Sequence, residues 1–193
     1  PNMKQPKNMI TRDGEHFDVL IVGAGISGIG GAYHLKNDCP DKTFAILETM
    51  DDFGGTWKTH TYPGIRSDSD LYTFGYSFKP WIGPPIATAA EILTYMGEVI
   101  EENDISSHIR YCHTIKTAKW STEDKLWTLT IHDLDADQLI TMTCGFLWMC
   151  QGYYRHTDPY TPDWPGMDRF QGTIVHPQEW PDDLDYTDKK VVV

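Results

Sequence analysis

Three glycines near the beginning of the chain have the spacing of a dinucleotide-binding turn. Gly23, Gly25 and Gly28 stand in the run GAGISG, directly after the apolar run FDVLIV. A buried strand followed by such a turn and a helix places free backbone N–H groups, and the positive end of a helix dipole, where phosphates bind. Ser27 lies in the first predicted helical turn and adds a hydroxyl. The spacing therefore predicts binding of a pyrophosphate.

A carboxylate stands at the distance that this fingerprint requires. Glu48 comes 20 residues after Gly28, at the end of the second apolar run, KTFAIL. An acid at this point accepts hydrogen bonds from ribose hydroxyls and repels a 2′-phosphate, which favours FAD or NAD over NADP. Because GxGxxG by itself is a weak signal, a glycine turn without a ligand is the alternative.

The elements that would position these residues form a βαβ unit. The sequence predicts strands at 17–22 and 42–47 around a helix at 29–36, which is the arrangement of a parallel sheet. An amphipathic helix is predicted over 88–102. Period-two runs at 113–120, 126–132 and 138–144 predict an antiparallel meander, and further strands are predicted at 145–150 and from 190 onward. The predicted fold class is α/β: a Rossmann-like, three-layer ββα domain with a parallel sheet and an inserted meander.

Composition narrows the possible partners. The net charge of −12 and the pI of about 4.9 argue against nucleic acid or an anionic membrane as a partner. No apolar run approaches the roughly 18–20 residues of a membrane span. The four cysteines have neither CxxC spacing nor paired histidines, which argues against a metal site or a disulfide framework. Free thiols favour a reducing compartment, so we expect a cytoplasmic protein.

Further motifs extend the signal beyond the glycine turn. They are GGTW at 54–57, YPGIRSDSD at 62–70, and Phe170, Gly172, His176 and Trp180 in the pattern FxGxxxHxxxW[P/D]. With these motifs the chain resembles the class B flavoprotein monooxygenases of the Baeyer–Villiger type, over nearly all of 17–193. The sequences of these motifs are most similar to those of the ethionamide-activating group of mycobacterial members. Pro177 departs from the pattern, because many members carry Thr there.

The resemblance implies a FAD-binding domain and a set of cofactor contacts. FAD would lie across the βαβ unit, with its adenine held by the backbone of Ile115. Asp68 would lie beside both the isoalloxazine and the nicotinamide of NADPH, which makes it the catalytic candidate. The other implied contacts to the two cofactors are Gly23, Gly25, Ser27, Gly28, Glu48, Gly55, Thr56, Trp57, Arg66 and Ser67.

Three of these assignments have a plainer alternative. Trp57 suits core packing as well as a flavin contact, and Asp68 suits a turn. Arg66 suits a surface ion pair, which would contribute little to the stability of the fold.

The resemblance implies that Phe170, Gly172, His176 and Trp180 lie in a linker and affect the orientation of domains. The predicted domain plan is a flexible tail at 1–16, a FAD-binding domain at 17–153, and a linker at 154–193 leading to the first strand of an NADPH domain.

The implied activity is an NADPH-dependent Baeyer–Villiger oxidation. In this family, O2 is taken up by reduced FAD as a C4a-peroxide, and a ketone becomes an ester or lactone. Relatives also oxidise sulfides. An arginine that stabilises the peroxide, and a second GxGxxG, are absent from the 193 residues. Two alternatives remain: an N- or S-oxidising monooxygenase, whose motif usually ends HSxxY so that Trp180 argues against it, and a FAD-binding fragment without activity of its own.

Overall fold

The computed structural model describes residues 12–193, so most of the predicted tail lies outside the described residues. The chain builds a sheet of six strands with helices on one face. The strands are β1 (Glu15–Val22), β2 (Phe44–Leu47), β3 (Ile109–Arg110), β4 (His113–Ser121), β5 (Leu126–Asp133) and β6 (Gln138–Met149). The helices are α1 (Ile26–Asp38), α2 (Thr56–Thr59), α3 (Leu71–Phe74) and α4 (Ala89–Glu102), and short 3₁₀ turns occur at Ser106–His108, Met167–Arg169 and Pro177–Glu179.

The sheet joins a parallel and an antiparallel part. Its strand order is β3-β2-β1-β6-β5-β4. Strand β1 pairs in parallel with both β2 and β6, and β3 extends this part beside β2. Strands β4, β5 and β6 pair antiparallel as the predicted meander. The predicted α/β class, with a parallel sheet and an antiparallel meander, is confirmed.

The side chains of the buried strands alternate between the two faces of the sheet and so pack against two different layers. One set of apolar side chains faces the helices: Val19, Ile21, Phe44 and Ile46 pack with Ile29, Ile92, Met96 and Val99. The intervening residues face the meander: Leu20, Ala45 and Leu47 pack with Leu129, Ile131, Ile140 and Met142. Because successive side chains of a strand point to opposite faces, a strand that is apolar throughout needs cover on both sides. The parallel part therefore lies between a helical layer and the meander.

One strand stands where the sequence predicts two. Residues 138–144 pair with β5, and residues 142–149 pair with β1, so β6 runs unbroken through Gly145. The change from alternating to continuous apolar residues is a change of neighbours along one strand. The prediction of separate strands at 138–144 and 145–150 was therefore wrong.

Two further differences from the prediction lie near the ends of the described chain. Strand β1 begins at Glu15, because Glu15 and His16 pair with Met142 and Thr143 of β6; these two residues belong to the sheet and not to the predicted tail. Residues 190–193 form no strand in the structure. A strand requires a hydrogen-bonded neighbour, and none of the six described strands pairs with these residues.

A capping box and a hydrogen bond from a partly buried tyrosine stabilise the helical layer. Helix α4 begins at a capping box, in which Thr88 accepts from the backbone N–H of Glu91 and the Glu91 carboxylate accepts from that of Thr88. The hydroxyl of Tyr76 donates to the carbonyl of Ile26, the first residue of α1, at 2.5 Å. The loop after α3 thereby fixes the N-terminal end of α1, which is the end that carries the glycine turn.

Candidate dinucleotide-binding site

The glycine turn is sterically tight at two of its three glycines. Gly23 has a positive φ of 98°, and a Cβ there would lie 2.8 Å from the carbonyl oxygen of Cys150. A Cβ on Gly28 would overlap the carbonyl oxygen of Gly23. Only glycine satisfies both positions, since a side chain would separate α1 from the strands or force a disfavoured backbone. Ser27 is exposed in the first turn of α1.

Gly25 differs, because a Cβ there would meet a single atom, at an ordinary van der Waals distance. The nearest atom to a Cβ on Gly25 would be the Cα of Gly55, at 3.8 Å. Gly25 is also the N-cap of α1, where no side chain caps the helix and no acidic residue occupies the first turn. The free N–H groups and the helix dipole therefore meet a space that a side chain would fill, which is the geometry that a pyrophosphate needs.

A second glycine turn forms the other wall. The N–H of Gly54 donates to the carbonyl of Ala24 at 3.0 Å. Gly55 has a positive φ of 53°, and a Cβ there would lie 3.2 Å from the Cα of Gly25. The GGTW segment and the GAGISG turn thus approach each other backbone to backbone, and Thr56 and Trp57 begin α2 directly beyond the contact.

Glu48 is buried at the end of β2 and tied to the turn. Its Oε2 accepts from the N–H of Ala24 at 2.7 Å and its Oε1 from that of Met50 at 2.9 Å, while only 8% of the residue is exposed. A carboxylate has about four acceptor positions, so capacity remains for hydroxyl groups of a ligand. The residues present therefore fit a dinucleotide with its ribose at Glu48 and its phosphates at α1.

The predicted adenine contact lies along the strand that starts beside Glu48. The N–H of His113, the first residue of β4, donates to the carbonyl of Glu48 at 2.8 Å. Ile115 follows two residues later, pairs with Ile131, and packs its side chain against the core between sheet and meander. The register of β4 against β5 is irregular between Ile115 and Thr117, at the edge of the sheet. The proposed backbone contact of Ile115 is thus near the Glu48 end of the site.

The residues predicted at the flavin end are only partly brought together. Trp57 is partly buried and packs edge-on against Phe74, with ring centroids 6.1 Å apart. Ser67 is buried, and its hydroxyl donates to the carbonyl of Ser69 at 2.8 Å. Arg66 and Asp68 are exposed on either side of it, and the Arg66 Nε donates to the carbonyl of Gly64 at 2.9 Å. The core packing of Trp57 is observed, and its flavin contact stays a prediction.

The Baeyer–Villiger pattern residues lie in a different segment. The Phe170 ring covers Gly172, where a Cβ would lie 2.6 Å from the ring. The Nδ1 of His176 accepts from the backbone N–H of Gln178 at 3.1 Å and so caps the 3₁₀ turn Pro177–Glu179. Trp180 packs edge-on against Tyr186 at 5.8 Å. These contacts are local to the segment that follows Gly152, and their proposed role in domain orientation remains a prediction.

The structure also brings together two histidines that no motif in the sequence connects, His60 and His156. The ring centroid of His60 lies 5.1–6.2 Å from those of Tyr62, Tyr154 and His156, and the charges of Glu48 and Asp68 act on His156 and Tyr154, respectively. His60 and His156 belong to segments separated by the whole of α3, α4 and the meander. No spacing in the sequence connects them.

In the part of the chain that the structure describes, no helix has the length and apolarity to cross a membrane.

Comparison with known proteins agrees with this geometry. Residues 21–83 match the model of an NAD(P)-binding Rossmann-like domain. The chain is 50% identical over 180 residues to the FAD-containing monooxygenase EthA of Mycolicibacterium smegmatis, covering 93% of this chain and 36% of that protein. It is 48% identical over 181 residues to the putative FAD-containing monooxygenase MymA of Mycobacterium tuberculosis, with the same coverage.

Solved structures give the same result for the fold. An oxidised steroid monooxygenase bound to NADP superposes with a TM-score of 0.68 and 31% identity, over 87% of this chain and 32% of that one. The closed crystal structure of cyclohexanone monooxygenase superposes with a TM-score of 0.70 over 89% of this chain and 32% of that one; at 24% identity, this second match shows the fold alone. The chain spans about a third of the length of the curated relatives that it matches. The predicted resemblance is confirmed, and the relatives are enzymes.

Proposed function

We propose that this homologue of the FAD-containing monooxygenases is the FAD-binding part of an NADPH-dependent monooxygenase. The observation that carries the proposal is the contact between the two glycine turns at Gly25 and Gly55, with the Glu48 carboxylate bonded to the same turn. The space beside Gly25, the uncapped N-terminus of α1 and a buried acid at the end of β2 suit the phosphates and ribose of FAD. The relatives whose names include FAD support the choice of this dinucleotide.

Different residues would contact different parts of FAD. Glu48 would bind the ribose, the N-terminus of α1 with Ser27 the phosphates, and the backbone of Ile115 the adenine. Gly55, Thr56 and Trp57 would contact the flavin end. Bound FAD would supply the redox chemistry, and the chain would orient it and exclude water from its buried parts.

For the complete protein we propose Baeyer–Villiger oxidation of a ketone with O2 and NADPH. Arg66 and Ser67 would contact the nicotinamide cofactor, and Asp68 would lie where flavin and nicotinamide meet. A steroid monooxygenase that shares this fold has NADP bound, which supports the choice of NADPH. Oxidation of a sulfide at the same flavin is the second candidate, and FAD binding without turnover by these 193 residues is the third.

A variant at Gly25 tests FAD binding without disturbing the fold. Gly25→Ala meets only the Cα of Gly55 at 3.8 Å and keeps a negative φ of −78°, so the chain should stay folded. The added methyl group enters the proposed pyrophosphate position, so the affinity for FAD should fall at least about tenfold. Flavin fluorescence titration measures the affinity, and urea unfolding checks the fold. Gly145→Ala, whose Cβ would lie 3.4 Å from the carbonyl of Asp18, is the matched control on β6.

Two results would contradict the proposal. The first is a purified, folded chain that is colourless and does not bind added FAD. The second is an unchanged FAD affinity in Gly25→Ala, which would place the cofactor elsewhere. The reaction itself is tested with a form extended to the length of the relatives: ester from a ketone supports the first candidate, and sulfoxide without ester supports the second. Asp68→Asn should slow NADPH oxidation in that form while leaving FAD bound.

A further inference from the structure

A tyrosine from the loop after α3 contacts the first turn of α1. The hydroxyl of Tyr76 donates to the carbonyl oxygen of Ile26 at 2.5 Å, and Ile26 is the first residue of the helix. The lack of a side chain at Gly30 makes room for the ring, because a Cβ there would lie 2.8 Å from the Cε1 of Tyr76. Gly30 is not one of the three glycines of the GxGxxG fingerprint, and its contact with Tyr76 is a separate constraint on α1.

Both the ring and the backbone of Tyr76 are held by other parts of the helical layer. The ring stacks with Phe78 at a centroid distance of 4.7 Å and with Tyr95 of α4 at 5.7 Å. The backbone N–H of Tyr76 donates to the hydroxyl of Tyr95 at 2.8 Å, and that hydroxyl donates to the carbonyl of Lys79 at 2.6 Å. These contacts fix Tyr76 to α4 while its hydroxyl bonds to α1.

The carbonyl that accepts from Tyr76 belongs to a peptide group at the start of the helix. The C=O of Ile26 and the N–H of Ser27 are the two ends of that one peptide group. The N–H of Ile29 donates to the carbonyl of Gly25 at 3.1 Å, which is the first bond of the α1 ladder. The N–H of Ser27 precedes this bond, so it has no acceptor within the helix, and no side chain caps α1. It is therefore one of the groups that the proposed site offers to the phosphates of FAD.

We propose that Tyr76 is a positioning residue of the phosphate site, which acts through the peptide group between Ile26 and Ser27. This inference rests on the proposed FAD-binding function and deepens it. A hydrogen bond to the carbonyl oxygen draws electron density from the peptide nitrogen, so the N–H at the other end becomes a stronger donor. The same bond fixes the direction of that N–H before a phosphate arrives, which lowers the entropy lost on binding.

The hydroxyl of Tyr76 is suited to this role because it keeps its proton. Burial raises the pKa of Tyr76, the neighbouring Tyr95 adds to the effect, and the backbone of Gly30 opposes both. The side chain is therefore a neutral donor at neutral pH, and it adds no negative charge beside the phosphates.

The test is an NMR titration of the nitrogen-labelled chain with ADP and, separately, with adenosine. ADP carries the same nucleoside and diphosphate as FAD, whereas adenosine lacks the phosphates. Tyr76→Phe keeps the ring beside Gly30 and removes only the donor. Its affinity for ADP should fall about three- to tenfold, while its affinity for adenosine should change by less than about twofold. The amide proton signal of Ser27 in the free variant should move upfield, because its N–H is less polarised.

A matched control and a second variant accompany Tyr76→Phe. Tyr33 lies about two turns further along α1, and its ring stacks on Phe78 with centroids 3.5 Å apart. Tyr33→Phe removes a hydroxyl from the same interface without changing the first turn, so its ADP affinity should equal that of the wild type. Gly30→Ala places a methyl group where the Tyr76 ring now lies, so it should weaken ADP binding as Tyr76→Phe does. The double variant should bind ADP no more weakly than the weaker of the two single variants, because both remove the same hydrogen bond.

The outcomes separate this inference from the proposed function. Unchanged ADP affinity in Tyr76→Phe, or a Ser27 amide signal that does not move, would overturn the role of Tyr76 and leave FAD binding by the wild type intact. Equal losses for ADP and adenosine would also overturn it, because a general loosening of α1 would not distinguish the two ligands. A wild-type chain that binds neither FAD nor ADP would overturn both proposals. Urea unfolding checks that each variant is folded, and Gly30→Ala decides the question if Tyr76→Phe is not.

Discussion

The Oε2 atom of Glu48 accepts a hydrogen bond from the backbone N–H of Ala24 across 2.7 Å. The acid that the sequence predicts for the ribose is therefore also a structural part of the glycine turn. Its second oxygen accepts from Met50, so the carboxylate joins the end of β2 to the turn before any ligand binds. In the proposed site, Glu48 would thus link the stability of the turn to the affinity for FAD.

The substitution Glu48→Ala should lower both quantities. The buried N–H of Ala24 and the partly buried N–H of Met50 lose their acceptor, which should cost about 1–3 kcal/mol of the free energy of unfolding. Loss of the ribose contact should weaken FAD binding by about 10–100-fold. Urea unfolding and fluorescence titration measure the two effects, with the exposed Glu123→Ala as control. An unchanged affinity would remove Glu48 from the proposed ribose site.

The substitution Gly28→Ala should destabilise the fold itself. Its Cβ would overlap the carbonyl oxygen of Gly23, so α1 must move away from β1. We expect a loss of more than about 3 kcal/mol in unfolding free energy, or no soluble protein. Gly145→Ala should change stability far less, because its Cβ meets no atom closer than 3.4 Å. Similar urea midpoints for the two variants would contradict the observed closeness of helix and strand.

Removal of the Tyr76 hydroxyl should weaken the support of α1. The hydroxyl of Tyr76 donates to the carbonyl of Ile26 in a partly buried position. Tyr76→Phe should therefore lower the free energy of unfolding by about 1 kcal/mol. Tyr72→Phe is the matched control, since the Tyr72 hydroxyl also donates to a carbonyl, that of Gly83, but its side chain is 62% exposed. A larger effect at Tyr72 than at Tyr76 would count against the assigned support.

Asp18 should contribute stability that depends on pH. Hydrogen bonds from the backbone and then the hydroxyl of Thr43 lower the pKa of its carboxyl, with Lys42 adding a smaller effect. A lowered pKa in the folded state gives stability that is present at neutral pH and is lost as the pH falls through about 4 and below. Asp18→Asn should therefore be less stable than wild type at neutral pH, and the difference should shrink in acid. Urea unfolding between about pH 7 and about pH 2.5 measures it.

A conservative variant checks the cause of the Asp18 effect. In the wild type, the backbone N–H and the hydroxyl of Thr43 donate to the Oδ2 of Asp18 at 2.8 and 2.9 Å. Thr43→Ser keeps both donors, so the pH dependence should persist. If Asp18→Asn lost the same stability at every pH, packing and not ionisation would explain its effect.

The parts of the site that are built from one stretch of chain could be predicted. The strand, glycine turn and helix at 17–36 have a local signature, because apolar runs and glycines restrict the backbone in place. The position of Glu48 follows from the length of one βαβ crossover. The continuity of β6 could not be predicted, because its two halves face different neighbours and so carry different patterns.

The sequence by itself determined the α/β class, the glycine turn and the position of the acid at the end of β2, because strand and helix periodicity and glycine sterics act over a few residues. Only the tertiary structure decided that Gly55 contacts Gly25 and that His156 meets His60. These contacts depend on the strand order and on where β6 ends beside Gly23, and both are set by the burial of apolar surface across the whole sheet. Residues 60 and 156 come together because their segments leave neighbouring points of one fold, and no local pattern in the chain records that.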